Sequence, residues 1–301
     1  MSQCNACPRR CSVDRSELRG FCGASDKIAV SRIALHEWEE PSISGSHGSG
    51  TIFFAGCNLR CVFCQNKVIS ASPTAFSEAR CLSVDELADA MLALQRAGAH
   101  NVNLVTPTHF VPQIAEALRK AKARLEIPVV YNSSGYESVD SLRSLSGLVD
   151  VYLPDLKYFS SELSGKYSAA PDYFEVAAKA ICEMYRQTGE AVFNTETVDK
   201  REVELIKRGV IVRHLVLPGC RKDSLRLVEE LSYIVPSDGV RLSLMRQFTP
   251  DFVDGERYPE LKRRLTSFEY ESVVKRATEL GFDGYTQGAD AASAAFTPDF
   301  E

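Results

Sequence analysis

From Gly50 onward the chain alternates short apolar runs with stretches of helical period, and this alternation constrains the fold more than any other feature. Thr51–Ala55, Asn101–Val105, Pro128–Tyr131, Leu148–Leu153, Val210–Leu217 and Val240–Met245 read as buried strands. Ser83 with Glu86 three residues on reads as a capping box, opening a helix that runs to about Ala97. Phe110–Leu125, Val139–Leu145, Tyr173–Thr188, Ser224–Ile234 and Ser267–Leu280 follow the same helical period. Short buried strands joined by helices predict a parallel sheet with right-handed crossovers. Six such strands are too few for a closed eight-stranded barrel. The expected fold class is therefore α/β: an open partial (β/α)6 barrel with an N-terminal loop-rich cysteine segment. Residues 1–49 form that segment, expected to bind a metal, and residues 50–301 the partial barrel with its C-terminal helix. Residues 189–209 follow neither period and predict a small excursion before the fifth strand.

The chain holds ten cysteines. Met1–Gly20 lacks the apolar core of a signal peptide, and no run approaches the ~18 apolar residues of a membrane span. A cytoplasmic protein without a membrane partner is expected, and there cysteines serve as metal ligands or reactive thiols rather than disulfides. Cys4, Cys7, Cys11 and Cys22 form one group and Cys57, Cys61 and Cys64 a second, while Cys81, Cys182 and Cys220 are scattered. A formal charge of −5 argues against nucleic acid as a partner, since phosphate binding runs on excess Lys and Arg.

In α/β folds of this kind the chemistry lies beyond the carboxyl ends of the strands. Polar and turn residues gather at that end of all six: Gly56–Cys64, Thr106–His109, Asn132–Gly135, Pro154–Lys157, Pro218–Cys220 and Arg246–Gln247. One site built from several loops is expected. Within it Cys57-x3-Cys61-x2-Cys64 offers three soft thiolates, suited to an iron–sulfur cluster or zinc. Three ligands on a cubane leave one iron free to bind something else.

This spacing directly after the first strand, with Phe63 before the last cysteine, resembles the radical S-adenosylmethionine superfamily. Glu39-Glu40-Pro41, Gly45–Gly56, CNLRCVFCQN through Asn66 and NLVTPTH at 103–109 narrow the resemblance. They are similar to the pyruvate formate-lyase activating enzyme-like branch, in particular paralogues with an N-terminal cysteine motif, over about Cys4 to Pro250. The resemblance implies a [4Fe–4S] cluster on Cys57, Cys61 and Cys64. It also implies reductive cleavage of S-adenosylmethionine to a 5′-deoxyadenosyl radical that abstracts hydrogen, and a flavodoxin- or ferredoxin-type reducing partner. Thr106, Pro107 and Thr108 stand where most members carry a GGE motif that holds the methionine amino group. Asp155 and Lys157 fall beside the ribose and carboxylate, Asn132 and Ser134 within reach of the methionine moiety, and Gln247 near a nucleoside-holding histidine.

Each residue also has a plainer reading. Asp155 and Lys157 could form a surface ion pair, Asn132 and Gln247 could be ordinary strand-end polar groups, and His109 could start a helix or shuttle protons. His214 could be a satisfied core or barrel-interior histidine, and Cys220 a chance cysteine or a substrate-side thiol. Cys4, Cys7, Cys11 and Cys22 supply four thiolates, enough for an auxiliary [4Fe–4S] cluster or zinc, with Gly20 and Gly23 letting the backbone wrap closely. Arg9, Arg10 and Arg15 could pair with such a cluster or with a substrate carboxylate. Three functions compete: activation of a glycyl radical enzyme, radical modification of a small molecule or protein side chain, and nonenzymatic iron–sulfur electron transfer. The last conflicts with a three-cysteine loop, because electron carriers saturate all four irons.

Overall fold

The computed structural model describes residues 4–71, 74–198 and 201–291. Strands are β1 (Ile28–His36), β2 (Ser49–Phe54), β3 (Arg80–Leu82), β4 (Val102–Val105), β5 (Val129–Ser133), β6 (Val151–Pro154), β7 (Val192–Val198), β8 (Arg201–Leu215), β9 (Arg241–Met245) and β10 (Asp283–Thr286). Helices are α1 (Pro41–Ser44), α2 (Lys67–Ser70), α3 (Val84–Arg96), α4 (Val111–Ala121), α5 (Val139–Ser144), α6 (Ser161–Ser168), α7 (Tyr173–Thr188), α8 (Arg221–Ile234) and α9 (Ser267–Glu279). The sheet order is β10-β9-β8-β6-β5-β4-β2-β1-β3, and the sheet does not close on itself.

All six expected strands are present and mutually parallel, as β2, β4, β5, β6, β8 and β9. Two expectations need correction, and a third is given its form. The segment 1–49 is loop-rich only through Lys27; Ile28–His36 is a strand that pairs antiparallel with β2 and with β3. Beyond α9, β10 adds a further parallel strand to β9. The excursion at 189–209 is a β-hairpin, β7 against the first half of β8. β10 escapes sequence reading because Asp283-Gly284-Tyr285-Thr286 is mostly exposed and carries no apolar period.

Alternation along the strands divides the sheet into two faces. Ile52, Phe54, Leu104, Tyr131, Tyr152, Val210, Val212, Leu242 and Leu244 point outward, packing against Leu87, Met91, Ile114, Leu118, Met184, Leu227 and Val273 of the helical layer. The capping box of α3 is formed, with Ser83 accepting from the Glu86 N–H and Glu86 from the Ser83 N–H at 2.8 Å. The inner face runs along one rung, Phe53–Val105–Asn132–Leu153, and resumes one step higher as Asp155–Arg213–Ser243–Tyr285.

The short helix α1 closes the lower mouth of this trough. Its Ile43, fully buried, packs on Val130, Val151, Leu153, Ile206 and Ile211 from the inner face. Asn101 Nδ2 donates to the Ile43 carbonyl at 2.7 Å, and Tyr285 Oη donates to Ser42 Oγ at 2.6 Å, tying α1 to both flanks of the sheet.

Candidate active site in the half-barrel

β2 ends at Phe54, and the chain turns at Gly56 with φ of 86°. A Cβ there would lie 2.5 Å from the Cys22 carbonyl, so only glycine lets the loop approach the N-terminal segment so closely. Backbone bonds then fix the three-cysteine loop: Arg60 N–H to Ser168 O at 3.2 Å, Val62 N–H to Tyr167 O at 2.9 Å and Cys64 N–H to Cys61 O at 3.2 Å. Buried Asn58 donates to the Tyr136 carbonyl at 2.7 Å, and Phe63 packs its ring on Tyr158 and Phe248.

Cys57, Cys61 and Cys64 line one cavity of about 550 Å³ on the inner face. Each sulfur has a hydrogen-bonding neighbour: the Leu59 N–H at 3.4 Å from Cys57, the Ser168 hydroxyl at 3.0 Å from Cys61 and the Ser70 hydroxyl at 3.3 Å from Cys64. Burial pushes the Cys57 thiol up to about 12, and the neighbouring Cys61 adds to the shift. A thiolate here therefore requires a compensating cation. Among the described residues no three His, Cys, Asp or Glu side chains surround a single metal-ion point.

The same cavity gathers Thr106, Asn132, Ser134, Asp155, Lys157 and Gln247 from four strand ends. Asp155 and Lys157 are not a surface pair: their side chains are 14% and 16% exposed and meet at 2.6 Å. Burial raises the Asp155 pKa, but the Lys157 ammonium and Arg213 guanidinium outweigh it and hold the carboxyl below its ordinary value. Gly135, at φ of 74°, lets the β5 loop pass the Asp155 carbonyl, which a Cβ would approach to 2.1 Å. Thr106 takes φ of 58°, a strained conformation for a β-branched residue.

Pro107 and Thr108 do not line the cavity. Thr108 is buried and donates to Glu137 at 2.6 Å. His109 is also buried, with Nε2 at 2.7 Å from the Ala55 carbonyl and burial driving its pKa to about 4, so it stays neutral. His214 is a satisfied core histidine on the helix side of β8, between the Leu156 carbonyl at 2.7 Å and Ser224 at 2.9 Å. Cys220 caps the start of α8 outside the cavity lining.

Sequence reasoning missed the centre of the floor. Arg213, one residue before His214, faces inward and joins three loops. Its Nε donates to Asp155 at 3.1 Å, Nη1 to Glu39 at 3.2 Å and Nη2 to Asn132 Oδ1 at 2.6 Å. Glu39 also accepts from Asn103 at 3.2 Å and Asn132 at 3.1 Å. The available signal was the two-residue period of Ile211-x-Arg213-x-Leu215, which puts a charge among inner-face apolar residues.

Cys4, Cys7, Cys11 and Cys22 fold together beside this loop. Positive φ at Arg10 and Ser12 curls the backbone, the Phe21 N–H reaches Cys11 Sγ at 3.3 Å, and a Cβ on Gly20 would lie 3.6 Å from Cys11 Sγ and 3.7 Å from Cys22 Sγ. Arg9 donates to the Asn58 carbonyl at 2.8 Å and the Ala169 carbonyl at 2.6 Å, while Arg60 donates to the Phe21 carbonyl. The two guanidinium groups lie over the Phe21 ring at 4.1 and 4.3 Å. Arg15 donates to the His109 and Ser25 carbonyls. Arg9 and Arg15 are thus committed to backbone carbonyls and join the cysteine segment to the barrel.

The family model for the radical SAM superfamily matches residues 51–219, from the first parallel strand through the end of β8. The chain belongs to the radical SAM superfamily. A radical SAM protein of this kind is an enzyme that carries out the general radical reaction with a [4Fe–4S] cluster and S-adenosylmethionine. An uncharacterized protein of Methanocaldococcus jannaschii is 31% identical over 290 residues, covering 93% of this chain and 75% of its own. A radical SAM methyltransferase from Sphaerobacter thermophilus superposes with a TM-score of 0.50 at 13% identity, over 84% of this chain and 71% of its own, which establishes a shared fold. No helix among the described residues is long and apolar enough to cross a membrane. The donor set fits the implied groups: three soft thiols with hydrogen-bond support on one wall, and a cavity of small-molecule size beyond them.

Proposed function

We propose that this radical SAM enzyme binds its catalytic [4Fe–4S] cluster through Cys57, Cys61 and Cys64 and abstracts hydrogen from a substrate held in the half-barrel. The observation that carries the reading is the shared cavity: the three thiols, Thr106, Asn132, Ser134, Asp155, Lys157 and Gln247 all border it. When bound, the cluster supplies the electron that cleaves S-adenosylmethionine to a 5′-deoxyadenosyl radical. The chain's residues bind, orient and exclude water. Asp155, with its charge secured by Lys157 and Arg213, accepts hydrogen bonds from ribose hydroxyls, and Lys157 offers its remaining donors to the methionine carboxylate. Ser134 Oγ and Gln247 hold the rest of the cofactor, and Thr106 presents backbone and hydroxyl oxygens to its amino group. Phe63, Tyr158 and Phe248 keep the cysteine loop dry.

Residues 1–49 are proposed as a metal-binding segment, with Cys4, Cys7, Cys11 and Cys22 holding an auxiliary [4Fe–4S] cluster in preference to zinc, and a flavodoxin- or ferredoxin-type donor supplying electrons. Of two substrate readings, backbone glycine of a partner enzyme and a small molecule or protein side chain, the charged floor favours the second. A glycine carries no charged side chain to set against a floor of Glu39, Glu40, Asp155 and Arg213. Anaerobic reconstitution, iron counting and dithionite-driven cleavage test the proposal. Roughly eight irons per chain with 5′-deoxyadenosine is the expected result. Roughly four with cleavage refutes the auxiliary cluster, and cleavage retained in any of Cys57→Ala, Cys61→Ala or Cys64→Ala refutes the catalytic assignment.

A further inference from the structure

The floor of the cavity holds more negative charge than its own cations neutralise. Glu39, Glu40 and Asp155 face two cations, Arg213 and Lys157. Each cation already pairs within the floor: Lys157 with Asp155, and the three guanidinium nitrogens of Arg213 with Asp155, Glu39 and Asn132. Glu40 is left over. It is 8% exposed and lines the cavity beside Ser243, and its Oε2 is buried without a hydrogen-bond partner. Asn103, outside the cavity lining, donates its amide nitrogen to Glu39.

One orphaned carboxylate oxygen in a floor of three carboxylates and two cations calls for a donor and positive charge, because a buried carboxylate without partners is costly. The donors cannot come from below, where α1 seals the trough with Ile43. They have to come from what enters the cavity. We propose that Glu40, beside Ser243 and the Glu39–Arg213 pair, is the recognition group for a protonated amine on the substrate. This rests on the reading of the cavity as the substrate chamber. An ammonium offers three donors and one positive charge, which offsets the three-to-two excess of carboxylates over cations and gives the Glu40 carboxylate a donor. The amine belongs either to a free small molecule or to a lysine side chain of a protein.

The test is calorimetric titration of the anaerobically purified protein with n-butylammonium chloride, with 1-butanol as the uncharged control and acetyl-Ala-Lys-Ala-amide as the side-chain probe. Roughly tenfold or greater preference for an amine over the alcohol is expected, the size of a charge-assisted bond in a dry site, and Glu40→Gln abolishes it. Tighter binding of the free amine identifies a small-molecule substrate, and tighter binding of the peptide identifies a lysine. Amines no tighter than butanol in the unaltered protein, or a preference surviving in Glu40→Gln, overturn the inference. If Glu40→Gln does not fold, the amine–alcohol comparison decides alone. Binding requires no cofactor cleavage, so the outcomes separate. Amine binding without 5′-deoxyadenosine overturns the radical assignment only, and cleavage without amine preference overturns the floor only.

Discussion

Replacing Arg213 by Met removes the one cation that faces two carboxylates while keeping the length of the stem. Its side chain is 15% exposed, so solvent screens its contacts with Glu39 at 3.2 Å and Asp155 at 3.1 Å only weakly. At an effective dielectric of ~20 each contact amounts to several kcal/mol. Desolvation offsets much of this, and breaking a buried pair by removing one partner costs about 3–5 kcal/mol net. For a domain of this size that lowers Tm by on the order of 10 °C. Burial already holds Glu39 above its ordinary value; without the guanidinium it rises further, and Asp155 loses part of the attraction that keeps it low. Stability in the variant is then greatest at low pH and falls as pH rises through the new values. Thermal denaturation of both proteins at pH 5 and pH 8 reads this directly. The deficit should be smaller at pH 5, and Glu39→Gln added to Arg213→Met should recover part of it. A Tm loss of under about 2 °C at pH 8, or a deficit independent of pH, refutes the reasoning.

Other expectations follow from single contacts. Ser168 donates to Cys61 Sγ at 3.0 Å and is held by the Tyr158 hydroxyl at 2.8 Å. Hydrogen bonds to cluster sulfurs favour the more negative, reduced state. Ser168→Ala should therefore make the catalytic cluster harder to reduce in an EPR-monitored titration; an unchanged potential would count against the bond. Glu137 is buried, and burial lifts its pKa to about 7 although Thr108 and Tyr131 donate to it. Its folded value exceeds the unfolded 4.5, so the stability it contributes is full below pH 4.5 and lost as pH rises to 7. Glu137→Gln should flatten the stability profile across that window by about 3 kcal/mol; a profile parallel to the parent's would refute the shift. Gly56→Ala meets the Cys22 carbonyl and a left-handed backbone together. A loss of about 2 kcal/mol or more is expected with reduced iron content, whereas full iron and unchanged Tm would show that the loop tolerates a Cβ.

The parallel strands were legible because a strand buried on both faces is a short apolar run, and the capping residues Ser83 and Glu86 marked α3 directly. Much of the cavity lining was legible too, since strand ends converge in any such fold. The trough floor was not. Glu39 and Glu40 precede β2 in a segment whose polar composition predicts a loop, and only three-dimensional closure carries them under Asn132 and Arg213. Arg213 was hidden by its neighbour: His214 drew attention as the titratable strand residue, yet the period of β8 turns it toward α8 and turns Arg213 inward. β10 and β7 were invisible because their pairing, rather than their side chains, makes them strands.

The bonds of the N-terminal cysteine segment reach far along the chain. Arg9 is secured by Ala169, and the Ala6 carbonyl by Ser141. During synthesis the four thiols leave the ribosome ahead of these anchors, which emerge more than a hundred residues later, on the order of ten seconds at ordinary elongation rates. Throughout that interval Cys4, Cys7, Cys11 and Cys22 stand in an unfinished chain, open to any metal or oxidant. For the metal site proposed on these cysteines, fidelity of loading is then a matter of timing: metal that arrives after Ala169 meets a walled site, and metal that arrives before meets four loose thiols.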